Sequence, residues 1–235
     1  MSSEDKWRYF KMLCDLGYKE IEVSFPSASQ TDYDFTRRLI ETPGAVPDDV
    51  FLQVLSPCQA DLIQRTVEAA RGARNVIVHV YLATSECFRR VAFGYEEEET
   101  VELAVECTRL VRGLTKGNLE ETGTRWLFEF SPECFSDTEI DYAVRVCRTV
   151  RDAWEPDGER GDRIILNLPA TVEMPTPNMY ADLVEYLCGN IGWTGDVCVS
   201  LVSCIFGDSL ALPCYNHVDG WQHPHNDRGT GKHIY

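Results

Sequence analysis

Two histidines one residue apart, His223 and His225, stand in the run His223-Pro224-His225-Asn226-Asp227-Arg228-Gly229-Thr230. In an extended backbone both imidazoles point to one side, because strand side chains alternate, and two such rings can hold one divalent metal ion. Two ligands do not close a metal site, so the others would have to come from elsewhere in the chain. Further groups suited to chemistry lie upstream, within or just after apolar runs: Glu22 and Ser24, Gln53, His79, Ser131 and Glu133, Asn167 and Thr171. Each also has an architectural reading. His79 suits a hydrogen-bonded position in an apolar strand, Ser131-Pro132-Glu133 a strand end that proline cannot continue, and Asn167 to Thr171 a strand-to-helix turn. The acidic run Glu96 to Glu99 reads as a solvated helix start, where carboxylates meet the positive end of the helix dipole.

The elements that must position these groups follow from periodicity. Ile21–Phe25, Phe51–Leu55, Val76–Val80, Trp126–Phe130, Ile164–Leu168 and Val197–Leu201 are short β-rich runs that read as strands. Between them lie amphipathic helices. One places Val101, Ala104, Val105, Thr108 and Val111 on a single stripe, and another Ile140, Ala143, Val144, Cys147 and Val150. Trp7, Phe10, Leu13 and Cys14 suggest a helix ahead of the first strand, closed by Gly17. Strands that alternate with helices call for parallel pairing, which either a (β/α)8 barrel or a doubly wound sheet satisfies. Polar residues at nearly every strand favour the barrel, whose C-terminal rim collects one contribution per strand, whereas an open sheet gathers its site at one switch point. No glycine-rich phosphate loop follows the first strand, which disfavours a nucleotide fold and hydride transfer.

Composition narrows the partners. With 235 residues and 44% hydrophobic content the chain can bury a substantial core. A formal charge of −16 without a Lys/Arg cluster argues against nucleic acid and anionic membranes as partners. No run of apolar residues is long enough to span a bilayer, and the start Met1-Ser2-Ser3-Glu4-Asp5-Lys6 lacks signal or transit character, so the default location is cytoplasmic. The ten cysteines include no C-x-x-C pair and read as reduced thiols, many of them buried.

Five longer motifs occur together and in order. They are Gly17-Tyr18-Lys19-Glu20-Ile21-Glu22-Val23-Ser24-Phe25-Pro26-Ser27-Ala28-Ser29-Gln30-Thr31-Asp32, His79-Val80-Tyr81-Leu82-Ala83-Thr84-Ser85, Phe128-Glu129-Phe130-Ser131-Pro132-Glu133, Asn167-Leu168-Pro169-Ala170-Thr171-Val172-Glu173-Met174, and the His223 to Thr230 run. In this the chain resembles the 2-isopropylmalate synthase family, most of all its fungal form, from about Lys6 to Thr230. The resemblance implies a TIM barrel that condenses acetyl-CoA with 3-methyl-2-oxobutanoate in leucine biosynthesis, an acyl transfer assisted by a divalent metal (Mg2+, Mn2+ or Zn2+). It implies His223 and His225 as metal ligands. His79, Ser131, Asn167 and Thr171 would line the 2-oxo acid pocket, and Glu133 would support deprotonation of the acetyl group. A homodimer is typical of the family, and family members include mitochondrial ones.

Departures from the family pattern set further expectations. The family's first strand ends Leu-Arg-Asp-Gly, its Asp being a third metal ligand, and this chain starts at the helix that follows. The chain therefore reads as a partial catalytic domain over 1–235, carrying about strands 2 to 7 of the barrel, without the family's C-terminal leucine-binding regulatory domain. Weak metal binding and doubtful activity are expected, together with an exposed apolar interior and two open sheet edges. A homologue from a secondary-metabolite cluster acting on another 2-oxo acid, or an inactive remnant docking on a full-length synthase, are the alternatives. Residues 202–222 interrupt the family pattern between Leu201 and His223. These 21 residues begin Val-Ser, which GTGAGT or GTAAGT can encode, and end in Gln, which CAG can encode, the two ends of a spliceosomal intron. A zinc loop using Cys204, Cys214 and His217 is the alternative for this insert, at a spacing that matches no common site. Gly231 to Tyr235 likewise departs from the alanine-rich helix expected there. Sequencing of the mature transcript is expected to join the Leu201 codon directly to the His223 codon; a message that retains the intervening codons excludes the intron reading.

Overall fold

A computed structural model describes residues 1–118, 123–156, 162–192, 196–203 and 216–218. The expected metal ligands His223 and His225 lie outside these residues, as do Cys204, Cys214 and the segment 231–235. Helices and strands alternate as α1 (Ser3–Asp15), β1 (Glu20–Ser24), α2 (Gln30–Glu41), β2 (Phe51–Pro57), α3 (Ala60–Ala70), β3 (Asn75–Ala83), α4 (Glu97–Leu114), β4 (Arg125–Glu133), α5 (Ile140–Trp154), β5 (Ile164–Ala170), α6 (Pro177–Asn190) and β6 (Val197–Ser203). A short strand β7 (Asn216–Val218) completes the order. β1 to β6 pair in sequence order and in parallel, and β7 adds antiparallel to β6.

The helix ends follow local chemistry. The acidic run starts α4 as expected: Glu96 is its N-cap, and the reciprocal bonds of Glu96 and Glu99 satisfy donors that the first turn leaves without partners. Gly17 takes a φ of +93°, a region that side chains disfavour, and turns the chain from α1 into β1.

Strand parity divides the core in two. Even-numbered residues of β2 to β4, such as Leu52, Val78 and Phe128, face outward and pack against the helices with Phe35, Leu39, Ala104, Val111, Ala143 and Val150. Ile77, Leu127, Ile165 and Cys198 face the concave side and form a second apolar cluster with Phe51. This inner layer is 0–4% exposed, which corrects the expectation of an exposed barrel interior. β7 pairs with three residues of β6 and moves the second edge outward without closing the sheet, so the two open edges expected stand among the described residues, at β1 and β7.

The inner layer is enclosed because the sheet curls. Flat strands about 4.8 Å apart would place β1 and β5 about 19 Å from one another. Instead, Arg163, one residue before β5, donates to Glu20 at the start of β1 at 2.7 Å. The result is a curled half-barrel of parallel strands with helices on its convex side. No helix among the described residues is long and apolar enough to cross a membrane.

On the convex side, Trp154 is fully buried and stacks on Phe128 at 5.0 Å between ring centroids. Its indole N–H donates to the Asp162 carbonyl at 3.2 Å, and Lys116 Nζ lies 4.4 Å from the ring. Trp154→Ala is expected to cost about 3–5 kcal/mol in urea unfolding. Val91→Ala, at a position 83% exposed, is expected to stay within about 0.5 kcal/mol.

Candidate active site

Above the inner apolar layer the concave face turns polar. Gln53, His79, Glu129, Ser131, Asn167 and Ser200 are each at most 6% exposed. A polar group buried this deeply must find partners within the protein, and Gln53, His79, Ser131 and Asn167 find theirs in one another and in Glu22. His79 Nδ1 lies 2.8 Å from Glu22 Oε2, and Gln53 Nε2 donates to the same oxygen at 3.0 Å. On the other side of the ring, Nε2 is 2.7 Å from Ser131 Oγ, which also accepts from Asn167 Nδ2 at 2.7 Å. One hydrogen-bonded row thus runs from β1 through β3 and β4 to β5.

The tilt of the strands makes this row. In the ladder, His79 stands opposite Leu55 and Glu129. Its side chain bonds to Ser131, two residues further along β4, and lies 3.2 Å from Gln53, two residues back along β2. Strands inclined to a barrel axis displace equal-height residues along the register in this way.

Of the residues expected from sequence, His79, Ser131 and Asn167 come together. Glu133 and Thr171 stand apart from that row, at the rim. Thr171 is exposed, and its Oγ1 accepts from the backbone N–H of Cys134 at 3.4 Å, next to Glu133. Cys134 has a φ of +60°, a left-handed conformation that costs a non-glycine residue energy and marks the point where β4 ends. Glu133 is half-buried, and burial raises its carboxyl above the usual carboxylate range, which makes it a better proton acceptor.

Three further residues belong to the row without having been assigned a role from sequence. Glu22 and Gln53 stood out only as polar residues in strands, and Glu129 not at all. Glu129 is 3% exposed, and its Oε1 lies 3.6 Å from His79 Nε2. Parity held a usable signal, because Glu129 is an inward-facing neighbour of Ser131 on the same strand. For His79, burial disfavours the charged ring, but Glu129 and the bonded Glu22 outweigh it and raise the imidazole above its ordinary value. Asn167 Oδ1 is buried with no hydrogen-bond partner among the described residues, so the row presents an acceptor to whatever occupies the concave face.

Among the described residues no three His, Cys, Asp or Glu side chains are gathered to hold a metal ion. The expected ligands His223 and His225 lie outside them. The described residues therefore do not fit a metal by themselves. They offer an unpartnered acceptor, Asn167 Oδ1, on the concave face and a carboxyl of raised basicity at the rim.

Ser131→Ala is expected to cost about 1–3 kcal/mol of stability in urea unfolding, because it leaves buried donors of Asn167 and His79 without an acceptor. Thr171→Val, at the exposed rim, is expected to change stability by about 0.5 kcal/mol or less in the same measurement.

The comparisons with known proteins agree with this architecture. Among curated proteins, a 2-isopropylmalate synthase of Schizosaccharomyces pombe is 51% identical over 230 residues, covering 98% of this chain and 35% of that protein. One from Saccharomyces cerevisiae is 48% identical, covering 98% and 33%. One from Ralstonia nicotianae is 46% identical, covering 98% and 35%. The chain thus spans about a third of the length of these relatives. Among solved structures, hydroxymethylglutaryl-CoA lyase from Pseudomonas aeruginosa superposes with a TM-score of 0.58 at 16% identity, over 86% of this chain and 62% of that one. That likeness supports the fold alone. The HMGL-like family model matches residues 1–201, the whole of the polar row included, and with six parallel strands curled around that row the chain belongs to the HMGL-like family.

Proposed function

We propose that this chain is a partial catalytic domain of an acyltransferase of the 2-isopropylmalate synthase kind, condensing acetyl-CoA with 3-methyl-2-oxobutanoate in leucine biosynthesis. The observation that carries the reading is the row His79, Ser131 and Asn167, hydrogen-bonded on the concave face of a chain 51% identical to a protein of that name.

A 2-oxo acid places a carboxylate beside a carbonyl. In this reading the Ser131 hydroxyl and Thr171 orient those oxygens, and His79 and Asn167 hold Ser131 in place. Glu133 takes a proton from the acetyl methyl group, its basicity raised by burial. The methyl carbon then forms a bond to the keto carbon as the carbonyl π pair moves onto its oxygen, which takes up a proton to become a hydroxyl, and water cleaves the thioester to a carboxylate and the CoA thiol. His223 and His225 would hold a divalent ion, which when bound polarises a carbonyl. Residues 202–222 are proposed as an insertion, a reading supported by the end of the family match at residue 201. The cytoplasm is the proposed compartment.

Calorimetric titration of the full 235-residue chain with 3-methyl-2-oxobutanoate and Mg2+ tests the assignment. Saturable binding is expected, weakened about tenfold or more by His79→Ala or Asn167→Ala, the loss of one hydrogen bond to a charged group. Release of CoA from acetyl-CoA is expected to be very slow and to require both the keto acid and the metal. Absence of binding, or binding indifferent to both substitutions, overturns the reading; turnover at the rate of a complete synthase overturns the expectation of slow release.

A further inference from the structure

We propose that Glu129 is a positioning residue: acting through His79, it keeps the imidazole doubly protonated and so turns the Ser131 hydroxyl outward, as a donor to an oxygen of the bound 2-oxo acid. The inference rests on the 2-oxo acid site proposed above and deepens it.

The wiring of the row leads to this conclusion. A carboxylate only accepts, so His79 Nδ1, 2.8 Å from Glu22 Oε2, must carry a proton. Gln53 Nε2, 3.2 Å from that nitrogen, is itself a donor and cannot accept its proton, which leaves Glu22 as the acceptor. The open question is therefore Nε2, 2.7 Å from Ser131 Oγ. If Nε2 is bare, it accepts, and Ser131 directs its only proton inward to the ring. If Nε2 is protonated, it donates. Ser131 Oγ then accepts from both His79 and Asn167, the latter at 2.7 Å, and its own proton is left for the concave side. One proton on His79 thus reverses the direction of the Ser131 hydroxyl, from an internal donor to a donor for ligand.

Glu129 decides between the two states. At 3.6 Å its Oε1 is too far from Nε2 to replace Ser131 as the hydrogen-bond acceptor, yet near enough to act on the ring by charge. At 3% exposure, water screens that attraction little. Among the described residues, the charged groups facing His79 are Glu22 from β1 and Glu129 from β4; Gln53 and Ser131 are neutral. Two carboxylates around one ring favour the imidazolium over the neutral form. Burial pulls the other way, and the balance still leaves His79 above its ordinary value. With the native carboxylates in place, ligand binding should be strongest at acid and neutral pH, where the ring is charged, and should decline as pH rises through the raised value.

Imidazole nitrogen spectra of the full chain, labelled at histidine and assigned through His79→Gln, test the inference across acid to alkaline pH, alongside calorimetric titration with 3-methyl-2-oxobutanoate and Mg2+. Wild-type His79 is expected to hold both protons above the ordinary histidine range. Glu129→Gln is expected to move that titration to lower pH and to weaken keto-acid binding about tenfold at neutral pH, the difference between a charge-assisted and a neutral hydrogen bond. Glu129→Asp is expected to restore both. A neutral His79 at neutral pH in the wild type overturns the inference without any variant having to fold. An unchanged His79 titration in Glu129→Gln, or keto-acid binding that ignores the protonation of His79, overturns it as well. If the wild type binds no 2-oxo acid while Glu129→Gln still shifts His79, the proposed substrate falls and so does the Ser131 relay toward it, leaving only the electrostatic hold of Glu129 on the ring.

Discussion

Curvature of the sheet is the constraint on which the rest of the structure depends. β1 and β3 are not neighbours, yet a carboxylate on one lies 2.8 Å from an imidazole on the other. Only a concave sheet brings inward-facing side chains of alternate strands this close. The same curl lets Arg163 meet Glu20 across β2, β3 and β4, and it closes the inner apolar layer of Ile77, Leu127, Ile165 and Cys198. The site needs that enclosure, because removal from water strengthens attraction between the carboxylates and the ring.

Burial of so many polar groups imposes a second requirement, mutual satisfaction. A lone histidine in an apolar strand would lose its charge or its place. Here Glu22, Ser131 and Asn167 complete a row in which each group orients the next, so the geometry of Ser131 is set by residues on three other strands. The rim is built differently. Glu133 is fixed by the end of β4, where Cys134 adopts a left-handed backbone and bonds to Thr171. The buried row and Glu133 thus rest on separate supports, one a hydrogen-bonded network and the other a strained turn.

Much of this was legible in the sequence. The β-branched runs marked β1 to β6, the apolar stripes marked α4 and α5, and the acidic run marked the start of α4. His79, Ser131 and Asn167 were identifiable because five motifs in order resemble one family. Glu129 went unnoticed because an acidic residue inside Trp126–Phe130 shows no partner in one dimension. The place of Thr171 at the exposed rim, apart from the buried row, was likewise beyond sequence reasoning, since it depends on where Cys134 turns.

The sequence by itself determined the alternation of elements and the chemical types available within and just after the strands. It could do so because periodicity and side-chain chemistry are local properties. Tertiary structure decided which of these groups meet: the diagonal contacts of His79 with Ser131 and Gln53, the second carboxylate beside the ring, and the separation of Glu133 and Thr171 from the buried row. Those contacts arise from strand tilt and sheet curl, which are set by packing among all the strands and helices at once.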